Sequence, residues 1–340
     1  MGLEPGYARL AREGDLADRI ERARSLAASC RICPRACGVD RTAGERGYCG
    51  AGAAPTVYSH MSHPGEEPPI TGNRGSGTIF FSYCTMSCVY CQNYRFSQLH
   101  EGRDRSTDEL AEMMIELAAR GCHNVNLVSP THFLLPILEA LAVAAGRGPA
   151  VPLVWNTSGY ESPETLSVLD GVVDVYLADL RYTDPTAAER YSDAPDYVGV
   201  AREALLEMNR QVGVLETDAA GVAVRGLIVR HLVLPDGRSG TPEALRFIAE
   251  RLGPDTRVGL MAQYYPAYRA TEYPEIARGI SRSEWDRARA ALTEAGLTHG
   301  WVQDYRGGDV SPIAGSKLEA DLPPGGDSTA GGSPGSGDGG

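Results

Sequence analysis

No basic excess is present in this 340-residue chain. Its 32 Lys and Arg face 44 Asp and Glu, for a formal net charge of −12. Polyanions are held by clustered cations, so neither a nucleic-acid partner nor an anionic membrane is expected. No apolar run approaches the roughly 18 residues that a membrane-spanning helix needs. The opening stretch, MGLEPGYARLAREGDLADRIERARSLAAS, is charged and amphipathic and has no apolar core of a secretory signal. Gly6 stands where a myristoylation signal carries Ser or Thr. These absences predict a soluble, cytoplasmic protein. The cysteines are not spread along the chain to close loops, as in a disulfide-stapled domain. The eight of them form two tight groups, Cys30, Cys33, Cys37 and Cys49, then Cys84, Cys88 and Cys91, with Cys122 alone. In a reducing compartment such grouping points to metal or catalysis, and Cys122 reads as a small buried hydrophobe.

The length suits one large α/β domain or two ordinary ones, and 42% hydrophobic residues allow a sizeable core. Residues 7–29 carry a helical apolar period. From about residue 77 strands and helices alternate. Strands are expected at 77–83, 124–128, 151–157, 172–180, 223–235 and 257–263. Helices are expected at 133–146, 162–169, 198–210 and 241–252. Two capping boxes, Ser106 with Glu109 and Ser281 with Glu284, open further helices. The strand sequences are continuously apolar, as when both faces of a parallel sheet are covered. An open sheet and a full or partial barrel both fit about six βα units, and in each the loops after the strands gather at one rim. The chain divides into a cysteine-rich segment at 1–60, an α/β body at 61–306 and a Gly/Pro/Ser tail at 307–340. The tail is too poor in apolar residues to order itself.

Cys84-x-x-x-Cys88-x-x-Cys91 directly follows the first strand of the series. Three thiolates from one compact loop suit a cubane iron–sulfur cluster and leave its fourth iron open for chemistry. A structural zinc site would want a fourth ligand, and His63 and His100 do not stand at typical spacing. The earlier group, Cys30, Cys33, Cys37 and Cys49, is a closed set of four and fits zinc or a second cluster.

The loop resembles the CxxxCxΦC signature of radical S-adenosylmethionine (SAM) enzymes, with Tyr90 as the aromatic. CRICPRACGVDR, HPGEEPPITG, GSGTIFFSYC, CQNY, NVNLVSPTHF, WNTSGY, YLADLRY, VRHLVLP and LMAQYYP follow in order over roughly residues 30–305. In this the chain is similar to uncharacterised homologues of the pyruvate formate-lyase activating enzyme. The resemblance implies a partial (β/α)6 barrel, a [4Fe–4S] cluster on Cys84, Cys88 and Cys91, and SAM chelated by the open iron. It also implies reductive cleavage of SAM to a 5′-deoxyadenosyl radical that takes hydrogen from a substrate. It implies a reductant such as flavodoxin or ferredoxin. The substrate is expected to be a glycyl-radical enzyme, or else a small molecule or another macromolecule. The rival class is a non-catalytic iron–sulfur or zinc protein.

Carried over residue by residue, the resemblance puts Tyr90 and Gln92 near the adenine, Tyr90 alternatively in core packing. Where the family has a GGE-like motif for the methionyl ammonium, this chain has Ser129-Pro130-Thr131-His132 and no acid; backbone carbonyls and the Ser129 or Thr131 hydroxyl are expected to accept from the ammonium, the alternative being a helix cap by Ser129 or Thr131. Asn156 and Ser158 would face the mouth. Asp179-Leu180-Arg181 resembles the family's cofactor-contacting Asp-x-Lys. Arg230 is the expected partner of the cofactor carboxylate, with His231 a core histidine. Gln263 and Tyr264 would reach adenosine or substrate. Glu66 and Glu67, beside Pro68 and Pro69, read as a solvated turn, with a substrate or cluster-rim role as the alternative.

Overall fold

The computed structural model describes residues 4–305; the tail expected at 307–340 lies outside them. The body is an α/β sheet built from β1 (Thr56–His63), β2 (Ser76–Phe81), β3 (Val125–Val128), β4 (Leu153–Thr157), β5 (Val175–Asp179), β6 (Ala223–Leu232), β7 (Arg257–Met261) and β8 (Gly300–Val302). Strands β2 to β8 are parallel and lie in the order β8-β7-β6-β5-β4-β3-β2. Strand β1 flanks β2 antiparallel. The sheet is open, the form of a partial barrel.

Helices α3 (Thr107–Ala119), α4 (Leu134–Ala145), α5 (Pro163–Leu169), α6 (Pro185–Ser192), α7 (Tyr197–Val212), α8 (Thr241–Phe247) and α9 (Arg282–Glu294) connect or follow the strands. Strands β3, β4 and β5 are buried at every position, because helices cover one face and the barrel lumen the other. Both capping boxes form: Ser106 and Glu109 bond reciprocally at α3, and Ser281 and Glu284 at α9.

Two apolar clusters result. The larger joins the outer sheet face to the helices. The smaller fills the lower lumen with Ile70, Val154, Val175, Leu177 and Ile228 among others. Ile70 comes from the β1–β2 connection, which makes a single helical turn at Pro68–Thr71. Because β1 is antiparallel to β2, with His63 opposite Ser76, this connection enters the barrel at the end opposite the cysteine loop. Burying a side chain such as Ile70, which is fully enclosed, contributes about 1.5–3 kcal/mol and anchors the plug.

The structure departs from the expected elements at identifiable points. The helix read over 7–29 is two helices, α1 (Gly6–Glu13) and α2 (Leu16–Ala28), broken where Gly14 adopts φ 90°. That left-handed conformation suits glycine and ends the first helix. Strand β1, TVYSHMSH, is half-exposed along much of its length and lacks the apolar run that marks the others. The helix read over 241–252 ends at Phe247 and continues as a π-helical turn over Ile248–Leu252. Neither Ser129 nor Thr131 caps a helix: the short turn Thr131–Phe133 begins after Pro130 without a side-chain cap.

The N-terminal segment docks on the barrel through hydrogen bonds. Gly6 N–H donates to Asp174 Oδ1 at 2.8 Å, and the Arg19 guanidinium donates to Ser167 O. The Ser162 and Thr165 hydroxyls both donate to Ile32 O, at 3.0 and 2.6 Å. The start of the first cysteine group is thereby pinned to α5. No helix among the described residues is long and apolar enough to cross a membrane.

Candidate functional site

The loop after β2 carries Cys84, Cys88 and Cys91. Tyr83 takes φ 69° at its start, and Tyr83 N–H bonds to Phe96 O at 2.9 Å. From the far side, Ser87 N–H bonds to Ser192 O and Val89 N–H to Tyr191 O, so α6 holds the loop in place.

Each sulfur has a polar neighbour. Met86 N–H donates to Cys84 Sγ at 3.4 Å. Ser192 Oγ–H donates to Cys88 Sγ at 3.0 Å and the Arg181 guanidinium at 3.1 Å. Cys91 Sγ lies 3.1 Å from Ser97 Oγ. Burial, then the neighbouring Cys88 sulfur, pushes the Cys84 thiol up to about 12, and the same two causes push Cys91 to about 11. Three thiolates so close would need a compensating cation, which iron would supply and Arg181 would assist. All eight cysteines are free of disulfides. Among the described residues no three His, Cys, Asp or Glu side chains stand ready around a single ion, a spacing that a cubane, larger than a bare ion, does not require. The residues fit a three-thiolate cluster.

Behind the loop, the Tyr90 hydroxyl accepts from the Tyr182 hydroxyl at 2.6 Å. Its ring meets Tyr264 edge-on at 5.7 Å, and the side chain is buried. Gln92 Nε2 donates to Gln263 O at 2.9 Å, tying the loop to the end of β7, and Gln263 Oε1 accepts from Gln303.

From Cys88 a charged ladder descends into the lumen. Arg181 donates to Asp179 Oδ2 at 2.8 Å, and Arg230 Nε to Asp179 Oδ1 at 2.8 Å. Arg230 also donates to Asn156 Oδ1 at 2.7 Å and reaches Glu66 Oε2 at 3.5 Å. Glu66 Oε1 accepts from Asn126 at 3.1 Å and Asn156 at 3.4 Å. Strand register explains the convergence. Asn126 pairs with Val154, Asn156 with Leu177, and Asp179 with Arg230, so alternate residues of β3 to β6 point to one side.

Glu66 and Glu67 are therefore not a solvated turn. The plug that buries Ile70 turns both carboxylates inward, a tertiary effect invisible in HPGEEP itself; two acids beside two prolines and an apolar Ile were the available signal. Burial raises the Asp179 pKa, but Arg230 and Arg181 outweigh it and hold the carboxyl below its ordinary value. Burial wins at Glu67, which is pushed up to about 7, with Glu66 adding to the rise. Arg181 Nε is buried without a partner, a donor free for an anionic group such as a carboxylate.

The other expected residues lie as follows. Ser129 takes φ 55° and its N–H bonds to Asn156 O at 2.9 Å. Ser158 O accepts from Tyr197. Thr131 donates to Glu161 Oε1 at 2.7 Å, which also accepts from Trp155 and Thr157. Trp155 and Thr157 alternate with the inward Val154 and Asn156, so Glu161 braces the 129–132 loop from the helix side. His231 is buried between Leu180 O and Thr241 Oγ1, and burial lowers it to about 4. Cys122 is a buried residue of the outer core.

Cys30, Cys33, Cys37 and Cys49 come together next to this rim. Burial raises both Cys30 and Cys33, and each of these also feels Cys37 and Cys49. Tyr48 N–H donates to Cys37 Sγ at 3.3 Å and Arg41 to Cys49 Sγ at 3.2 Å. The segment touches the three-cysteine loop directly. Arg35 donates to Thr85 O at 3.1 Å, and the Tyr48 hydroxyl donates to Asp193 Oδ2 at 2.5 Å and lies 2.9 Å from Ser87 Oγ. The Arg35 guanidinium lies 3.8 Å from the Tyr48 ring centre. No signal in the sequence foretold this contact.

Residues 78–211 match the Radical SAM superfamily. A protein of Methanocaldococcus jannaschii, printed as uncharacterized protein MJ0674, is 32% identical over 281 residues, spanning 79% of this chain and 76% of the relative. A second from the same organism, uncharacterized protein MJ0808, is 25% identical over 285 residues, 75% of this chain and 78% of the relative.

Proposed function

We propose that this chain, which belongs to the radical SAM superfamily, binds a [4Fe–4S] cluster through Cys84, Cys88 and Cys91 and uses it to cleave SAM reductively. The observation that carries this reading is the three-cysteine loop at the end of the first parallel strand, with Arg181 joining Cys88 to Asp179. When bound, the cluster and SAM together supply a 5′-deoxyadenosyl radical that takes hydrogen from substrate. The chain's own residues position and shield. Arg181 offers its free Nε to the SAM carboxylate, while Asp179 fixes both guanidiniums. Ser129 stands at the family's place for the methionyl ammonium, with Thr131 braced behind it by Glu161. Asn156 and Arg230 lie within the lumen and Ser158 and Gln263 nearer its mouth; Gln92 would lie by the adenine, with Tyr90 packed behind it. An external one-electron donor such as flavodoxin or ferredoxin reduces the cluster. The four N-terminal thiols would hold a second cluster, or zinc if they close further around a single ion.

Two substrate classes are proposed. A glycyl-radical enzyme would need a peptide groove at the mouth. A small molecule would need charged groups converging inside the barrel, and the buried ladder from Arg181 to Glu67 favours that class. Metal analysis after anaerobic reconstitution tests the cluster assignment. Wild type should hold about four irons with zinc, or about eight without it. Cys84→Ala, Cys88→Ala and Cys91→Ala should each lose about four. Unchanged iron in all three variants would refute the assignment.

A further inference from the structure

The charged layer at the floor of the lumen has more acceptors than donors. Glu66, Glu67 and Asp179 are three carboxylates against two guanidiniums, and Arg181 is shared with Cys88. Arg230 is fully engaged by Asp179, Asn156 and Glu66. Glu67 Oε2 is left buried with no hydrogen-bond partner, and so is Oδ1 of Asn126, a residue with no exposure at all. An unmatched buried acceptor costs about 1–3 kcal/mol, more when charged, so Glu67 Oε2, in the field of Arg230, Glu66 and Asp179, calls for a donor from outside the chain.

The layer is open to solvent at Glu66 and Arg230, while Asn126 is closed off. The Glu66 and Arg230 side chains keep 9% and 16% exposure, although the plug and the apolar cluster around Ile70 lie beneath them. Gly259 on β7 makes the room: a Cβ there would stand 3.2 Å from Glu67 Oε1 and 3.4 Å from Arg230 Cγ.

We propose that Glu66 and Glu67, in the charged layer of the lumen, receive a cationic nitrogen group of a small-molecule substrate, an ammonium or guanidinium. This rests on the radical-enzyme reading above. Such a group brings both the missing donors and the missing positive charge; a neutral amide would bring only donors. Glu67 is a binding residue, and Gly259 keeps its place open.

The test uses the full-length, anaerobically reconstituted protein and two isosteric probes, n-butylguanidinium and n-butylurea, with binding read by saturation-transfer NMR. Wild type should prefer the cation by about tenfold or more. Glu67→Gln should abolish the preference, and Glu66→Gln, which keeps the side-chain shape if the first variant misfolds, should reduce it. Glu216→Gln, an exposed acid, should leave it intact. Equal binding of the two probes, a preference that survives both lumen variants, or displacement by equimolar potassium would overturn the proposal. The same samples are assayed for 5′-deoxyadenosine. Product without charge-selective binding would sink this inference and leave the enzymatic reading standing. Charge-selective binding without product would remove the substrate role together with that reading.

Discussion

Asp179 is the hinge of the lumen chemistry. It is buried, yet Arg230 and Arg181 keep it ionised, so its stabilising contribution is complete at neutral pH and is lost only as pH falls below its ordinary range. Removing its charge takes from both guanidiniums the carboxylate they share and leaves Arg181 without its ion-pair partner. Asp179→Asn should therefore lower unfolding stability by roughly 3 kcal/mol or more, measurable by urea denaturation; a loss near zero would mean that solvent, not Asp179, balances the arginines. Glu67 behaves oppositely. Burial raises its pKa from 4.5 to about 7, so the folded state holds a proton that the unfolded chain releases. That contribution is full below about 4.5 and fades as pH rises through 7. Buried His132 and His231, lowered to about 3 and 4, push stability the other way, so the comparison must be made against a variant. Wild type should lose stability relative to Glu67→Gln between pH 4.5 and 7, by about 3 kcal/mol at most; a pH-independent difference would place Glu67 in water.

At the level of elements, sequence patterns were most readable where one local force dominates. The capping boxes at Ser106 and Ser281 were legible because side chain and backbone meet within one turn. Ser281→Ala should cost about 1 kcal/mol, seen as a lower midpoint in thermal unfolding. The six main strands announced themselves through continuous apolar runs, and three of them are buried at every position. Strand β1 did not, because its faces are only partly covered, and the inward turn of Glu66 and Glu67 depends on Asn126, Asn156 and Arg230 arriving from three other strands. The same limit hid Glu161, whose partners come from Thr131, Trp155 and Thr157. The cysteine loop was legible because its three thiols fall within one short stretch of chain. Close approach leaves its mark at Gly259: Gly259→Ala should crowd Glu67 and Arg230 and destabilise by roughly 1–3 kcal/mol. A neutral effect in denaturant titration would show slack at that point.

Across the whole molecule, two thiol groups share one end of a partial barrel. Arg35 and Tyr48 join them, each contacting the 84–91 loop or its support at Asp193. The N-terminal segment is then a brace for the cysteine loop, and a metal bound there would stabilise that loop in turn. Arg35→Ala should speed iron release to a chelator from the reconstituted protein while leaving the total iron bound at the outset unchanged. An unchanged release rate would separate the two modules. The most direct test of the central claim is 5′-deoxyadenosine formation by anaerobically reconstituted, dithionite-reduced protein given SAM. The account predicts product from wild type and none from Cys88→Ala at equal protein concentration. Equal yields from the two, or none from a wild-type sample carrying its full iron and sulfide, would contradict it.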